Sequence, residues 1–263
     1  MQIGSAAEEV VARLNYNIEG VLNASDPEQE AKYADAVCQG YELVAICELL
    51  LDAEVDEFFH CLIRGAQTRL WLLERAGRAS GYPPRILRAS NLTGLFAAVA
   101  SSQWRLAERI ARASPTRQDA SSEYADDFCY AMYLHRHLMN APTGESLEVL
   151  ASFEAELEGA PSARFDLCRL LIEPNEADAR ECFEALLDER EAELESLRGT
   201  STLAAEAAFA LRGYLFVEGL AWLSLLRRSG TDLEGEFRLC PTPARTQDYQ
   251  GFVVSTFPSV PLE

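Results

Sequence analysis

The sequence predicts an all-α fold: irregular stacked helical hairpins, as a bundle or short repeat-like array, with an extended C-terminal tail. Three observations predict it. Apolar residues recur at spacings of three and four over most of the first 230 of 263 positions. Ala, Leu, Glu and Arg, all good helix formers, are abundant. Turn and cap signals punctuate the pattern at Ser25-Asp26-Pro27, Ser80 to Pro84, Ser114-Pro115, Ala141 to Gly144, Gly159 to Pro161 and Pro174-Asn175.

Helices are accordingly expected at about 5–23, 28–51, 54–77, 85–100, 102–113, 120–139, 145–157, 161–172, 175–197 and 201–229. Two stretches read as αα-hairpins. Leu92–Ala113 is broken at Ser101-Ser102, and Phe165–Leu187 at Pro174-Asn175. No strict repeat of about 34 residues runs through them, so a regular solenoid is disfavoured. Residues 1–230 form one expected helical domain. After Gly230 come Pro241, Pro243, Pro258, Pro261 and the β-favouring run Phe252–Phe257, which predict a tail, 231–263, lying across the helices or trailing them.

The formal charge of −19 is unevenly spread. Residues 1–60 carry 13 acids against two bases, 61–118 two against ten, 119–160 nine against one, and 161–263 eighteen against ten. Lys32 is the single lysine among 23 basic residues, so positive charge is carried by arginine, whose planar fork suits paired contacts. Such a chain repels nucleic acid and anionic membrane and favours a basic protein partner. The long apolar runs Gly40–Leu51 and Ala207–Leu226 are interrupted by charges and do not read as membrane spans. No secretory leader pattern opens the chain, and a cytoplasmic location is expected. Seven cysteines without a C-x-x-C pair read as small buried hydrophobes in a reducing compartment.

The densest polar cluster is Glu123–His137. His135 and His137 lie two apart on a helix and cannot chelate together, and Asp126-Asp127 lacks a third carboxylate at useful spacing, so no metal ligand is assigned. Tyr124, Phe128, Ala131, His135 and Leu138 form one stripe, read as core, with His135 a satisfied core histidine. Asp126, Tyr130, Tyr133 and His137 form the opposite one. Its composition suits a protein interface, and with Glu123 and Asp127 it makes a candidate partner-binding set. The competing reading is a helix sandwiched on both faces, the tyrosines being second-layer core.

Glu48, Asp52 and Asp56 recur at intervals of four and stack on one face if a single helix runs through them. They are the second candidate partner-binding set. Pairing with the arginines at 64, 69, 75, 78, 85 and 88 is the internal alternative. Glu218 sits in an otherwise apolar stretch and needs an arginine or a backbone donor, because an unpaired buried carboxylate is costly. No phosphate-cradling loop, dinucleotide fingerprint, nucleophile elbow or paired cysteine motif occurs, so no catalytic residue and no cofactor are assigned and the chain reads as a non-enzyme.

Five phrases, in order, complete the reading: Ser102–Ala111 (SQWRLAERIA), Glu123–Ala131 (EYADDFCYA), Ala185–Arg190 (ALLDER), Phe216–Leu223 (FVEGLAWL) and Phe237–Pro241 (FRLCP) with Ala244-Arg245. Together they resemble the immunity protein 49 family, helical antitoxins of bacterial polymorphic-toxin systems. The likeness spans roughly residues 40–245 and rests on the ordered set. What the resemblance implies is a non-catalytic cytoplasmic inhibitor that binds a cognate toxin domain. A basic, nuclease-like toxin would suit the acidity, which can act as a phosphate mimic. The alternatives are a helical scaffold or adaptor and a carboxylate-based or metal-dependent helical enzyme.

Overall fold

The computed structural model describes residues 3–200 and 207–245. Among them the regular elements are helical, with one isolated bridge, between Phe237 and Cys240, and no strand. The all-α expectation holds.

Helices α1 (Ile3–Leu22), α2 (Pro27–Cys47) and α3 (Val55–Ala76) pack one on the next. Asp26 caps α2 by accepting the Gln29 amide at 2.9 Å, with Pro27 already fixed in helical φ at the first position. At Gly65 the backbones of α2 and α3 come close: a Cβ there would meet the Cys38 carbonyl oxygen at 3.1 Å. The corner between them corrects the sequence expectation. Glu48–Asp52 widens into a π-turn, and Ala53 adopts φ 54°, with the Glu54 amide returning to the Glu48 carbonyl at 3.1 Å. Glu48, Asp52 and Asp56 therefore do not share one helical face.

The helix expected over 85–100 is two pieces, α4 (Pro84–Leu87) and α5 (Thr93–Ala100). The cause is Arg69 on α3, 1% exposed, whose guanidinium donates to the carbonyls of Ile86, Leu87 and Arg88 at 2.8, 3.1 and 3.1 Å. Those carbonyls turn toward the arginine, and the chain leaves the helix. Downstream, α5 and α6 (Trp104–Ala113) form the expected first hairpin, folded at Ser102, which has φ 56°. After α7 (Ala125–Leu138) and α8 (Thr143–Glu156), the second expected hairpin is α9 (Ala163–Leu170) with α10 (Glu176–Thr200). Helix α7 starts later than expected because Asp119 accepts the hydroxyls of Ser121 and Ser122 at 2.6 and 2.7 Å, holding 119–123 as a turn.

The helix expected over 201–229 is also interrupted. Residues 201–206 lie outside the described part, and α11 (Ala207–Arg212) is separated from α12 (Val217–Arg228) at Gly213–Phe216. There the Phe216 amide donates at 2.8 Å to the carbonyl of Leu239, in the tail. By length and composition residues 208–228 are apolar enough to cross a membrane, but most of them are buried inside the fold. The tail is packed on the helices as far as Arg245: Leu233, Phe237, Cys240 and Ala244 join the common core, and Phe237 meets Phe183 edge-on at 5.0 Å. The Phe252–Phe257 run lies outside the described residues.

Five cysteines are buried, as expected, while Cys129 and Cys182 are half-buried; all seven are free thiols. His135 is a core histidine. Burial, and then the Arg69 charge, lower its pKa to about 4. The folded state thus keeps it neutral while the unfolded chain takes up a proton near pH 6.5, so stability falls as pH drops from 6.5 towards 4. We expect His135→Gln to remove up to about 1.4 kcal/mol per pH unit of that slope. Chemical denaturation at pH 7, 6 and 5 checks this; parallel curves for the two proteins would refute it.

Candidate functional site

Helix α7 was the leading candidate surface, and the structure corrects it. Tyr130 and Tyr133 are 3% and 0% exposed. The helix is sandwiched: α6, α8 and α9 all pack on it, leaving no broad face for solvent. Tyr133 donates to the Cys168 carbonyl at 2.6 Å and stacks on His137, which is half-buried and has its pKa lowered by burial and then by Arg228. On the stripe read as core, Ala131, His135 and Leu138 are buried and Phe128 is half-buried, but Tyr124 is 79% exposed. The error has a simple source. A short helix with neighbours on several sides buries both stripes, and its polar tips are satisfied internally.

Tyr130 belongs to a buried network. Trp222 Nε1 donates to Tyr130 Oη at 2.8 Å, and Tyr130 Oη donates to Glu218 Oε1 at 2.9 Å. Arg164 grips the same carboxylate through Nε and Nη2, both at 2.8 Å, with its guanidinium over the Tyr130 ring at 5.2 Å. Glu218 thus finds the arginine that its apolar surroundings required. The Glu218 charge pushes the Arg164 pKa up against burial, while burial, then Glu218, raise the Tyr130 phenol. Arg164 thus stays charged and the tyrosine neutral at ordinary pH.

This network forms the floor of a cleft of about 890 Å³ where α2, the 85–93 segment, the start of α7, α9, α10 and the α11–α12 joint converge. Glu123 is part of its wall rather than a free acid: its carboxylate accepts the amides of Ser90 and Asp119 at 3.1 and 3.0 Å and ties the 85–93 segment to the turn before α7. Asp127 faces the cleft with Arg164 Nη1 at 3.8 Å. Burial raises its carboxyl pKa against the pull of Arg164, and Asp126 adds to the rise. Asp126 itself is half-buried.

The second acidic set remains at the surface. Asp52, Glu54, Asp56 and Glu57 are exposed and Glu48 is half-buried, giving five carboxylates in ten residues around Leu51, which is 44% exposed. His60 lies 3.2 Å from Glu57, but no arginine or lysine is paired with any of the five among the described residues. Burial and then the charges of Asp52, Glu57 and Glu54 raise the Glu48 carboxyl pKa. Of the six arginines expected to compensate this set, four are engaged elsewhere. Arg75 pairs with Glu30 at 2.5 Å, Arg85 with Glu28 at 3.5 Å and Arg78 with Glu74 at 3.9 Å, while Arg69 binds carbonyls.

The two candidate sets thus differ in character: the first is buried or half-buried and mostly engaged, the second mainly exposed and acidic. Sequence reasoning missed Arg88, Arg164, Arg190 and Arg212 as cleft residues. The one available signal was that Glu218 demanded a cation. Among the described residues no group of three His, Cys, Asp or Glu side chains is placed to hold a metal ion. The chain matches no family model, no curated protein and no solved structure.

Proposed function

We propose that this chain is a non-catalytic immunity protein that binds a cognate bacterial toxin domain in the cytoplasm and neutralises it, docking through the acidic corner between α2 and α3. The observation that carries the reading is that corner's uncompensated charge. Its five carboxylates are crowded, with Asp52, Glu54 and Glu57 acting on Glu48, and among the described residues none has a paired guanidinium, although the next segment of the chain is rich in arginine. A basic partner surface relieves the repulsion, gains attraction to the same groups and is steered to them at long range. Leu51 supplies an apolar anchor amid the charges. The ordered resemblance to the immunity protein 49 family names the class of partner, and a basic, nuclease-like cleft fits the charge. Asp56 and Glu57 are held in the first turn of α3, where the helix dipole favours them, so the carboxylates are presented from a stable element.

The direct test is co-expression with a neighbouring toxin gene in a sensitive host: protection supports the reading, and unrelieved toxicity overturns it. With a protective pair in hand, Asp52→Lys combined with Asp56→Lys is expected to weaken toxin binding by roughly a hundredfold, mainly through slower association, with thermal stability unchanged or slightly improved. Titration calorimetry and stopped-flow mixing at two salt concentrations measure this. Unaltered affinity would remove the corner from the interface.

A further inference from the structure

The cleft above the Arg164–Glu218 pair is lined by six cationic and six acidic side chains, and most of them are already matched. Lys32 and Arg85 both reach Glu28, Arg190 pairs with Glu193 at 2.6 Å, and Arg212 with Glu42 at 3.1 Å. Asp35 accepts the side-chain amides of Gln39 and Asn91 at 2.9 and 2.8 Å, and Glu123 accepts two backbone amides. Glu218 is saturated by Arg164 and Tyr130.

Three groups are left with hydrogen-bonding capacity facing the same space. Arg88 is exposed, binds the Ser122 carbonyl through Nη1 at 3.1 Å and enters no ion pair among the described residues. Arg164 has two nitrogens fixed on Glu218 and offers Nη1, whose nearest carboxylate oxygen, on Asp127, is too far for a hydrogen bond at 3.8 Å. Asp127 lies within the electrostatic reach of both arginines. Arg164 is also immobilised: its ring contact with Tyr130 and its two-pronged grip on Glu218, backed by Trp222, fix the plane in which Nη1 points. Such support from behind is what orients a ligand-binding guanidinium.

We propose that this cleft is a binding site for a small ligand carrying an oxyanion, phosphate or carboxylate, with a hydrogen-bond donor a few bonds away. Arg88 and Arg164 Nη1 take the oxyanion by charge-assisted bonds, and Asp127 accepts from the neighbouring donor. The volume suits a ligand of metabolite to nucleotide size. The pairing of both signs also explains selectivity: in a chain of net charge −19 a simple anion is repelled at long range, so a ligand that adds a donor for Asp127 is preferred over a bare one. This site is distinct from the acidic corner and requires no toxin.

Titration calorimetry of the purified chain with inorganic phosphate, glucose 6-phosphate and L-glutamate is the test. Binding of glucose 6-phosphate with a Kd below about 1 mM assigns a phosphate ligand, and binding of L-glutamate assigns a carboxylate one. In either case Arg88→Ala is expected to weaken binding by roughly tenfold while leaving the melting temperature unchanged, because Arg88 is exposed. Arg85→Ala, on the same rim but paired with Glu28, should leave affinity within about twofold of the parent. Absence of binding by all three probes at about 10 mM, binding of inorganic phosphate alone, or affinity indifferent to Arg88→Ala overturns the proposal. None of these outcomes bears on toxin protection, which is read separately in cells.

Discussion

Replacing Glu218 with alanine is expected to destabilise the fold by about 2–3 kcal/mol, a fall of roughly 7 °C in Tm for a chain of this size. The carboxylate closes three bonds at once, two from Arg164 and one from Tyr130. Its loss leaves a half-buried guanidinium and a buried phenol without their acceptor, the guanidinium being partly screened by the water of the cleft. Glu218→Gln keeps the volume and an acceptor for Tyr130 but removes the opposing charge, so an intermediate loss is expected. The decisive comparison is Glu218→Leu with Arg164→Met. With both charges gone the Tyr130 hydroxyl alone is left without its acceptor, and the double variant should recover part of what Glu218→Ala loses. Thermal and urea denaturation read all of these. A Glu218→Ala protein as stable as the parent would show that the network contributes nothing to the fold.

The helical class was legible because it rests on local periodicity, and both hairpins came out where their polar breaks predicted, at Ser101-Ser102 and Pro174-Asn175. What was illegible depends on groups far away in sequence. The helix expected over 85–100 looks continuous by composition. It breaks because Arg69, 17 to 19 residues earlier, collects its carbonyls. The helix expected over 201–229 is interrupted where Leu239 of the tail accepts the Phe216 amide. No propensity argument about either segment alone contains these partners.

The same reason governs the site. A helical projection says which residues share a stripe but not how many stripes are covered, so Tyr130 and Tyr133 were equally compatible with an interface and with a second core layer. Contacts from α6, α8 and α9 decide for core. Glu218 could be said to need a cation, yet its partner lies 54 residues earlier, and several arginines fitted equally well. The acidic corner was half visible. Its charges were read from the sequence, whereas the π-turn and the positive φ of Ala53 that redistribute them were not. The Arg-rich 61–118 segment does neutralise acids of the first 60 residues, but the ones it chooses are Glu28 and Glu30.

Arg69→Met is expected to cost about 3 kcal/mol and to act mainly on one wall of the cleft. Arg69 is buried as a cation with no carboxylate in direct contact among the described residues. Burial lowers its pKa, and the Asp35 charge offsets part of that. Removing the charge therefore relieves a desolvation cost, while the carbonyls of Ile86, Leu87 and Arg88 lose a shared donor in a partly buried site. Ile86 retains the Asn91 amide at 3.3 Å, so the remaining two carbonyls bear most of the loss. Arg69→Lys should rescue little, because one ammonium cannot span three carbonyls that a planar guanidinium reaches together. Hydrogen exchange separates this from general core damage. Arg69→Met should speed exchange at the Arg88 and Ser90 amides more than in α2, whereas Phe58→Ala, another fully buried change on α3, should lower stability without that local bias. Uniform acceleration across both regions in Arg69→Met would mean that the arginine only fills space. A local effect would mean that the segment carrying Arg88 is held in place from the core side, by one residue that never touches the cleft.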